Sequence, residues 1–190
     1  MKIYLAGPDV FLPDAVELGR RKADICARHG LAGLYPLDNA IDLSAGDASL
    51  RIFAGNEAMM IEADAIIANL TPFRGPGADA GTVYELGYMA GRGKLCLGYS
   101  NDPSLYADRV RKFTTVDKQA GRLADAAGLT VEDFGLSDNL MIIHALELHG
   151  CALVTPRQAP ADIWHDLDAF ETCVRLAAAQ LASAHARATS

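Results

Sequence analysis

The chain has 190 residues, enough for one ordinary domain and too few for two well-cored ones. Hydrophobic residues make up 51% and charged residues 22%, a globular composition that excludes disorder. Seventeen Lys and Arg stand against 24 Asp and Glu, a net charge of −7 that argues against a nucleic-acid polymer or an anionic membrane as partner.

No stretch approaches the roughly 20 apolar residues needed to span a bilayer. The N-terminal run MKIYLAGPDVF is too short for a signal-peptide core, so a cytoplasmic protein is expected. Cys26, Cys96, Cys151 and Cys173 lie far apart, and the five histidines form no ligand-spaced pair. Reduced, mostly buried thiols are expected, with no disulfide framework, no metal site and no dinucleotide fingerprint, hence no cofactor.

In chain order, KIYLA (2–6) reads as a buried strand closed by Gly7-Pro8. Residues 14–29 read as a helix capped by Asp14 and stopped at Gly30, and 32–35 as a weak strand ended by Pro36. A second helix is predicted over 47–62, with Leu50, Ala54, Ala58 and Ile61 as its buried stripe. ADAIIANL (63–70) is the clearest buried strand, followed by a Pro- and Gly-rich loop (71–81), a helix over 82–92 and a strand over 94–100. Strands alternating with helices imply a parallel sheet covered on both faces, with ligands bound by loops at the strands' carboxyl ends, here 7–13, 36–46 and 71–81.

Residues 101–138 read as an irregular, charged excursion with one helix near 105–113. An apolar helix over 139–148 and a last strand over 151–155 follow. From Pro160, the residues Ile163, Leu167, Phe170, Val174, Ala177 and Leu181 recur at helical spacing, which predicts one amphipathic helix over 160–184 with a frayed tail. The whole is expected to be one domain.

The densest chemistry lies in Asp79-Ala-Gly-Thr-Val-Tyr-Glu85, two carboxylates across a loop-to-helix junction. One could attack an electron-poor centre while the other binds hydroxyls. Thr82-x-x-Glu85 also spells a capping box, and spacing alone favours that reading. The surrounding glycines admit close approach of backbone to a ligand, but RGPGADAG is a poor phosphate cradle because Asp79 would repel a phosphate. Tyr4 alone reads as a core aromatic, Asp38-Asn39 as turn residues, and Asn139 as a helix cap. Asn56 shares a stripe with Ile52 and Met59, so its side chain is expected to point inward and to need partners. His144 and His149 read as structural.

KIYLAGPDVF, ADAIIANLTPFRGPGADAGTVYELGYM and Leu-Ser-Asp-Asn-Leu-Met together resemble the nucleoside 2-deoxyribosyltransferases, from Met1 to about Leu148. The resemblance implies a flavodoxin-like three-layer α/β sandwich with a mostly parallel five-stranded sheet. It implies a pentosyltransferase of nucleotide salvage that moves 2-deoxyribose between nucleobases with retention at C1′. By position, Glu85 matches the nucleophile, Tyr4 the tyrosine that holds it, and Asp79 the aspartate on the deoxyribose hydroxyls. Asn139 matches an asparagine supplied by a neighbouring subunit, which implies a homo-oligomer, dimer or hexamer. Gly7, Phe11, Asp38 and Asn56 complete the expected substrate-binding set, for 2′-deoxynucleosides and free nucleobases. The chain departs from the family at Asn56, an aspartate in some members, and at Ala40, a glutamine in some, so base preference does not carry over. A hydrolase acting on deoxynucleosides or their 5′-monophosphates is the nearest alternative, and a non-catalytic nucleoside sensor the next. Loop 7–13 has neither Ser nor Arg, which favours a free 5′-hydroxyl over a phosphate.

Overall fold

A computed structural model describes residues 1–38, 46–119 and 121–188. Four strands, β1 (Lys2–Ala6), β2 (Ala32–Leu34), β3 (Ala65–Asn69) and β4 (Leu95–Tyr99), form one sheet in the order β2-β1-β3-β4, with every pairing parallel. Parallel strands need crossovers, and helices supply them: α1 (Ala15–Arg28), α2 (Ala48–Glu62) and α3 (Ala80–Gly91). Further helices are α4 (Tyr106–Phe113), α5 (Leu140–His149) and α6 (Asp168–Ala188). The architecture is the expected flavodoxin-like sandwich. No helix is long and apolar enough to cross a membrane among the described residues.

Strand alternation divides the core. Ile3, Leu5, Ile67, Leu97 and Tyr99 face α1 and α6, where they pack on Ile25, Phe170 and Val174. Tyr4, Ala6, Ile66, Ala68 and Cys96 face the opposite layer, with Met60, Leu86, Met89 and Leu146. A one-residue slip would exchange the two sets, so the pleat itself aims Tyr4 at α3. All four cysteines are free thiols, three of them buried.

The sheet has four strands where five were expected. Residues 150–154 run parallel to β4 but pair with it only at Cys96–Gly150 and Tyr99–Val154. The two bridges are three residues apart on β4 and four apart on the other segment. The extra residue breaks the ladder as a bulge does.

Other expectations need correction. The stripe Leu50, Ala54, Ala58 and Ile61 of α2 is exposed, and Met60 is the helix's buried residue. The sequence ASLRIFAGNEAMMIE is apolar around most of its circumference, so periodicity could not choose the face that meets the sheet. The excursion contains an antiparallel hairpin, β5 (Val116–Gln119) and β6 (Arg122–Asp125), which packs with α4 through Val116, Leu123, Val110 and Val131. Its strands are too polar to announce themselves, although Gly121, at φ 84°, marks the turn. Helix α6 starts at Asp168 and continues to Ala188, later at both ends than predicted. Upstream, Asp162 ties the chain into a turn by accepting from the amides of Trp164 and His165.

Candidate active site

The loops after β1 and β3, with the short 3-10 turn Pro36–Asp38 after β2, meet above the carboxyl edge of the sheet around a cavity of about 480 Å³. Gly7, Phe11, Asn56, Asp79 and Glu85, all expected site residues, line it. Pro36, Leu37 and Ile52 supply an apolar wall. Asp38 closes the 3-10 turn beside Leu37, its side chain lying outside the description, and Asn39 and Ala40 fall outside the described residues.

The start of α3 separates the two readings of Glu85. The N-cap is Asp79, whose Oδ2 accepts from the Thr82 amide at 2.9 Å and from Thr82 Oγ1 at 3.0 Å. Thr82 thus lies three residues inside the helix, and Glu85 is a turn too late to reach the cap. The carboxylate of Glu85 instead accepts a hydrogen bond from Tyr4 Oη at 2.6 Å. A cap was correctly anticipated at this junction, but on the wrong residue: aspartate serves as well as threonine there.

Electrostatics make Glu85 unusual. Burial pushes its carboxyl up to about 7; the Tyr4 hydrogen bond works against this, and the neighbouring Asp79 charge adds to it. Tyr4 is itself fully buried, and burial followed by the charge of Glu85 drives its phenol far above its ordinary value. It therefore stays a donor at any working pH.

The remaining expected residues divide. Phe11 stands at the cavity rim, stacked on Phe73 at 5.4 Å with an interplanar angle of 12°. The guanidinium of Arg74 lies over both rings, at 5.2 and 4.6 Å. Asn56 turns inward, as expected, and its Oδ1 is buried without a hydrogen-bond partner among the described residues. Asn139 does not reach this cavity. It caps α5, accepting from the Met141 amide at 3.0 Å, and its Nδ2 donates to Glu132 at 2.8 Å. Within one chain the structure gives Asn139 the cap role that its sequence context suggested.

Sequence reasoning missed what holds the first loop. Asp9, 1% exposed, pairs with the equally buried Lys22 and accepts from Asn69 Nδ2. Lys22 lies between the rings of Tyr99 and Phe170, 5.6 and 5.3 Å from their centroids. A Cβ on Gly7 would lie 2.8 Å from both Asn69 Cβ and Asp9 Oδ2, so only glycine fits where the loop leaves β1. One signal was available: Lys22 interrupts the apolar stripe Leu18, Lys22, Ile25 of α1. Among the described residues no three His, Cys, Asp or Glu side chains form a group able to hold a metal ion.

Comparisons with known proteins show the family and the fold. The sequence model of the nucleoside 2-deoxyribosyltransferases matches residues 3–141. An uncharacterised Schizosaccharomyces pombe protein is 32% identical over 202 residues, covering 96% of this chain and 91% of that protein. A solved 2-deoxyribosyltransferase from Leishmania mexicana superposes with a TM-score of 0.62 at 32% identity, covering 91% of this chain and 96% of that one. A conserved protein from Enterococcus faecalis, at 23% identity and a TM-score of 0.53 over 82% of this chain and 91% of that one, shares the fold. With its family model matched over most of its length, the chain belongs to the nucleoside 2-deoxyribosyltransferases.

Proposed function

We propose that the protein is a nucleoside 2-deoxyribosyltransferase that moves 2-deoxyribose between nucleobases through a covalent ester on Glu85. The observation that carries this reading is the Glu85 carboxylate, excluded from capping, held by Tyr4 at 2.6 Å and opening on the same cavity as Asp79. The deoxyribosyltransferase from Leishmania mexicana supports the choice of sugar.

In the first displacement a Glu85 oxygen bonds to C1′ as the C1′–N bond breaks, and the base leaves with the electron pair and takes up a proton at its ring nitrogen. In the second, a ring nitrogen of the incoming base bonds to C1′, the ester C1′–O bond breaks, and the acceptor gives up its proton. Two inversions amount to retention. Both transition states carry positive charge near C1′, which the two carboxylates stabilise. The Tyr4 hydroxyl fixes the attacking carboxylate, and Asp79 Oδ1, unused by the cap, is available to sugar hydroxyls. Phe11 offers a ring face to the base, and Asn56 Oδ1 an acceptor for a base N–H.

The protein should be given deoxyinosine with and without free adenine. Deoxyadenosine is the expected product; deoxyribose alone would mean that water resolves the ester and the protein is a hydrolase. No turnover with either would overturn the reading.

The ionisation of Glu85 sets the pH dependence. Only the carboxylate attacks, so kcat/KM is expected to rise with pH along an acid limb centred near 7. The Tyr4 hydrogen bond lowers the pKa of Glu85, so Tyr4→Phe should move that limb to higher pH while slowing the reaction. A pH–rate series on both proteins checks this, and an unmoved limb would mean that another group sets it.

We further propose a homo-oligomer, at least a dimer, in which Asn139 completes the neighbour's site. An exposed apolar surface supports this. Leu50, Phe53 and Tyr84 stand 67%, 46% and 53% exposed on α2 and α3, and Met141 and Leu148 are exposed on α5. Surface of that kind marks interaction sites.

A further inference from the structure

We propose that the buried Arg109–Asp138 pair is a positioning pair for Asp79, fixing the loop that carries this carboxylate and tying it to the start of α5. The inference rests on the reading of Asp79 as a sugar-binding residue. Both side chains are almost completely buried. Arg109 directs three nitrogens to three separate chain positions. Nη2 meets Asp138 Oδ2 at 3.0 Å, Nε donates to the Pro76 carbonyl at 2.6 Å, and Nη1 to the Ser104 carbonyl at 2.7 Å. Asp138 finishes the arrangement: Oδ2 also accepts from the Ala78 amide at 3.2 Å, and Oδ1 from the Asn139 amide at 2.8 Å.

The loop is therefore gripped at a carbonyl and at an amide, the second of these in the residue before Asp79. Its own backbone supplies little, a single bond from the Phe73 amide to the Gly77 carbonyl. It also holds Arg74 at φ 54°, a left-handed conformation disfavoured for a side-chain-bearing residue. A loop bent against its local preference keeps its shape only if its surroundings impose it. A buried ion pair gives little net stability compared with well-packed apolar groups. What the planar guanidinium adds is direction, bonds at fixed angles to fixed partners. Neither Arg109 nor Asp138 lines the cavity, and the loop they hold reaches it at Asp79, so their effect on this chain's own site passes through Asp79.

Position matters at this scale, since a displacement of about 1 Å costs on the order of 100-fold in rate. The test uses Arg109→Lys, which keeps a charge opposite Asp138 but loses the fork that reaches Pro76 and Ser104. Should that variant fail to fold, Asp138→Asn, which retains an acceptor for one of the two amides, carries the same readouts. Each is made alone and in an Asp79→Ala background, with thermal melts to establish folding. Alone, Arg109→Lys is expected to lower kcat/KM on deoxyinosine by roughly 10- to 100-fold. In the Asp79→Ala background the same change should cost less than about threefold, because coupled residues are not additive. Hydrogen exchange at the Ala78 amide should quicken by about tenfold or more, while Leu86 and Met89 in α3 keep their protection. Unchanged exchange at Ala78, or a loss of rate equally large without Asp79, would overturn the proposal. A wild-type chain with no activity on deoxynucleosides would instead overturn the reading of the site, and the exchange experiment would still decide whether the pair holds the loop.

Discussion

Replacing Glu85 by glutamine is expected to abolish turnover and, at the same time, to raise the melting temperature at pH 8. The first effect follows from the covalent route. A glutamine side chain cannot form the ester, so both displacements are lost, a fall on the order of 10⁴-fold or more. The second follows from burial. The folded protein holds the Glu85 carboxyl at about 7, against an ordinary 4.5. Between those values the folded state binds more protons than the unfolded one. The carboxyl's favourable contribution is thus fully present below about pH 4.5 and is lost as pH rises through about 7. At pH 8 the wild-type protein bears the whole cost of a desolvated charge, on the order of 3 kcal/mol. Glutamine is neutral and keeps an oxygen for the Tyr4 hydroxyl, so it is relieved of that cost and should melt several degrees higher, at about 2–4 °C per kcal/mol. At pH 5 the gain should nearly vanish. If Glu85 acted as half of a capping box, glutamine would fill the same place, and the substitution would leave the melting temperature little changed at either pH and spare much of the activity. Thermal melts at the two pH values, beside a rate assay, separate the outcomes. Retained activity with an unchanged melt would remove Glu85 from the chemistry.

That contrast shows where sequence was sufficient and where it was not. β1, β3 and β4 were legible because buried parallel strands are short, continuous apolar runs between breakers, and KIYLA, AIIAN and LCLGY are such runs. The placement of Tyr4 opposite α3 follows from alternation once the strand is known. The role of Glu85 was not legible from spacing, because Thr82-x-x-Glu85 and Asp79-x-x-Thr82 are both well-formed helix starts three residues apart. Only the fold shows that Asp79 takes the cap, and the family resemblance, not the spacing, pointed to Glu85. The face of α2 was misread for a similar reason, since an apolar pattern on every side contains more than one stripe at helical spacing. The supporting ion pairs were invisible for another reason: Asp9 and Lys22, and likewise Arg109 and Asp138, come from different elements. A lone charge in a sequence reads as surface until its partner is seen.

Both supporting pairs serve loops at the carboxyl edge of the sheet. Asp9 anchors the loop that carries Gly7 and Phe11, and Asp138 the loop that carries Asp79. Such loops have no ladder to hold them, and the chain uses buried charges in its place. Helical and sheet elements position Glu85 and Tyr4, and buried ion pairs hold the loops around them.

Asn139 gives the second large expected effect. Asn139→Ala should be close to inactive although the residue lies outside its own chain's cavity, and mixing it with Glu85→Ala subunits should restore activity. In a dimer that exchanges subunits, half the molecules of an equal mixture are mixed. Each mixed dimer holds one site with both residues intact and one with neither. About a quarter of the wild-type activity is therefore expected to return. The cap must be separated from the site, because losing the bond to the Met141 amide costs about 1 kcal/mol in α5. Asn139→Ser does this, since serine caps as well as asparagine but cannot replace the Nδ2 donor. If the cap alone matters, the serine variant should be as active as wild type. If Asn139 acts on the neighbour's substrate, the serine variant should fold normally, stay nearly inactive and be rescued by Glu85→Ala subunits. The exposed residues Phe53, Tyr84 and Met141 would give the proposed contact a surface on the layer that carries α2, α3 and α5. No recovery, with subunit exchange demonstrated and both parents inactive, would mean that each site is built from one chain.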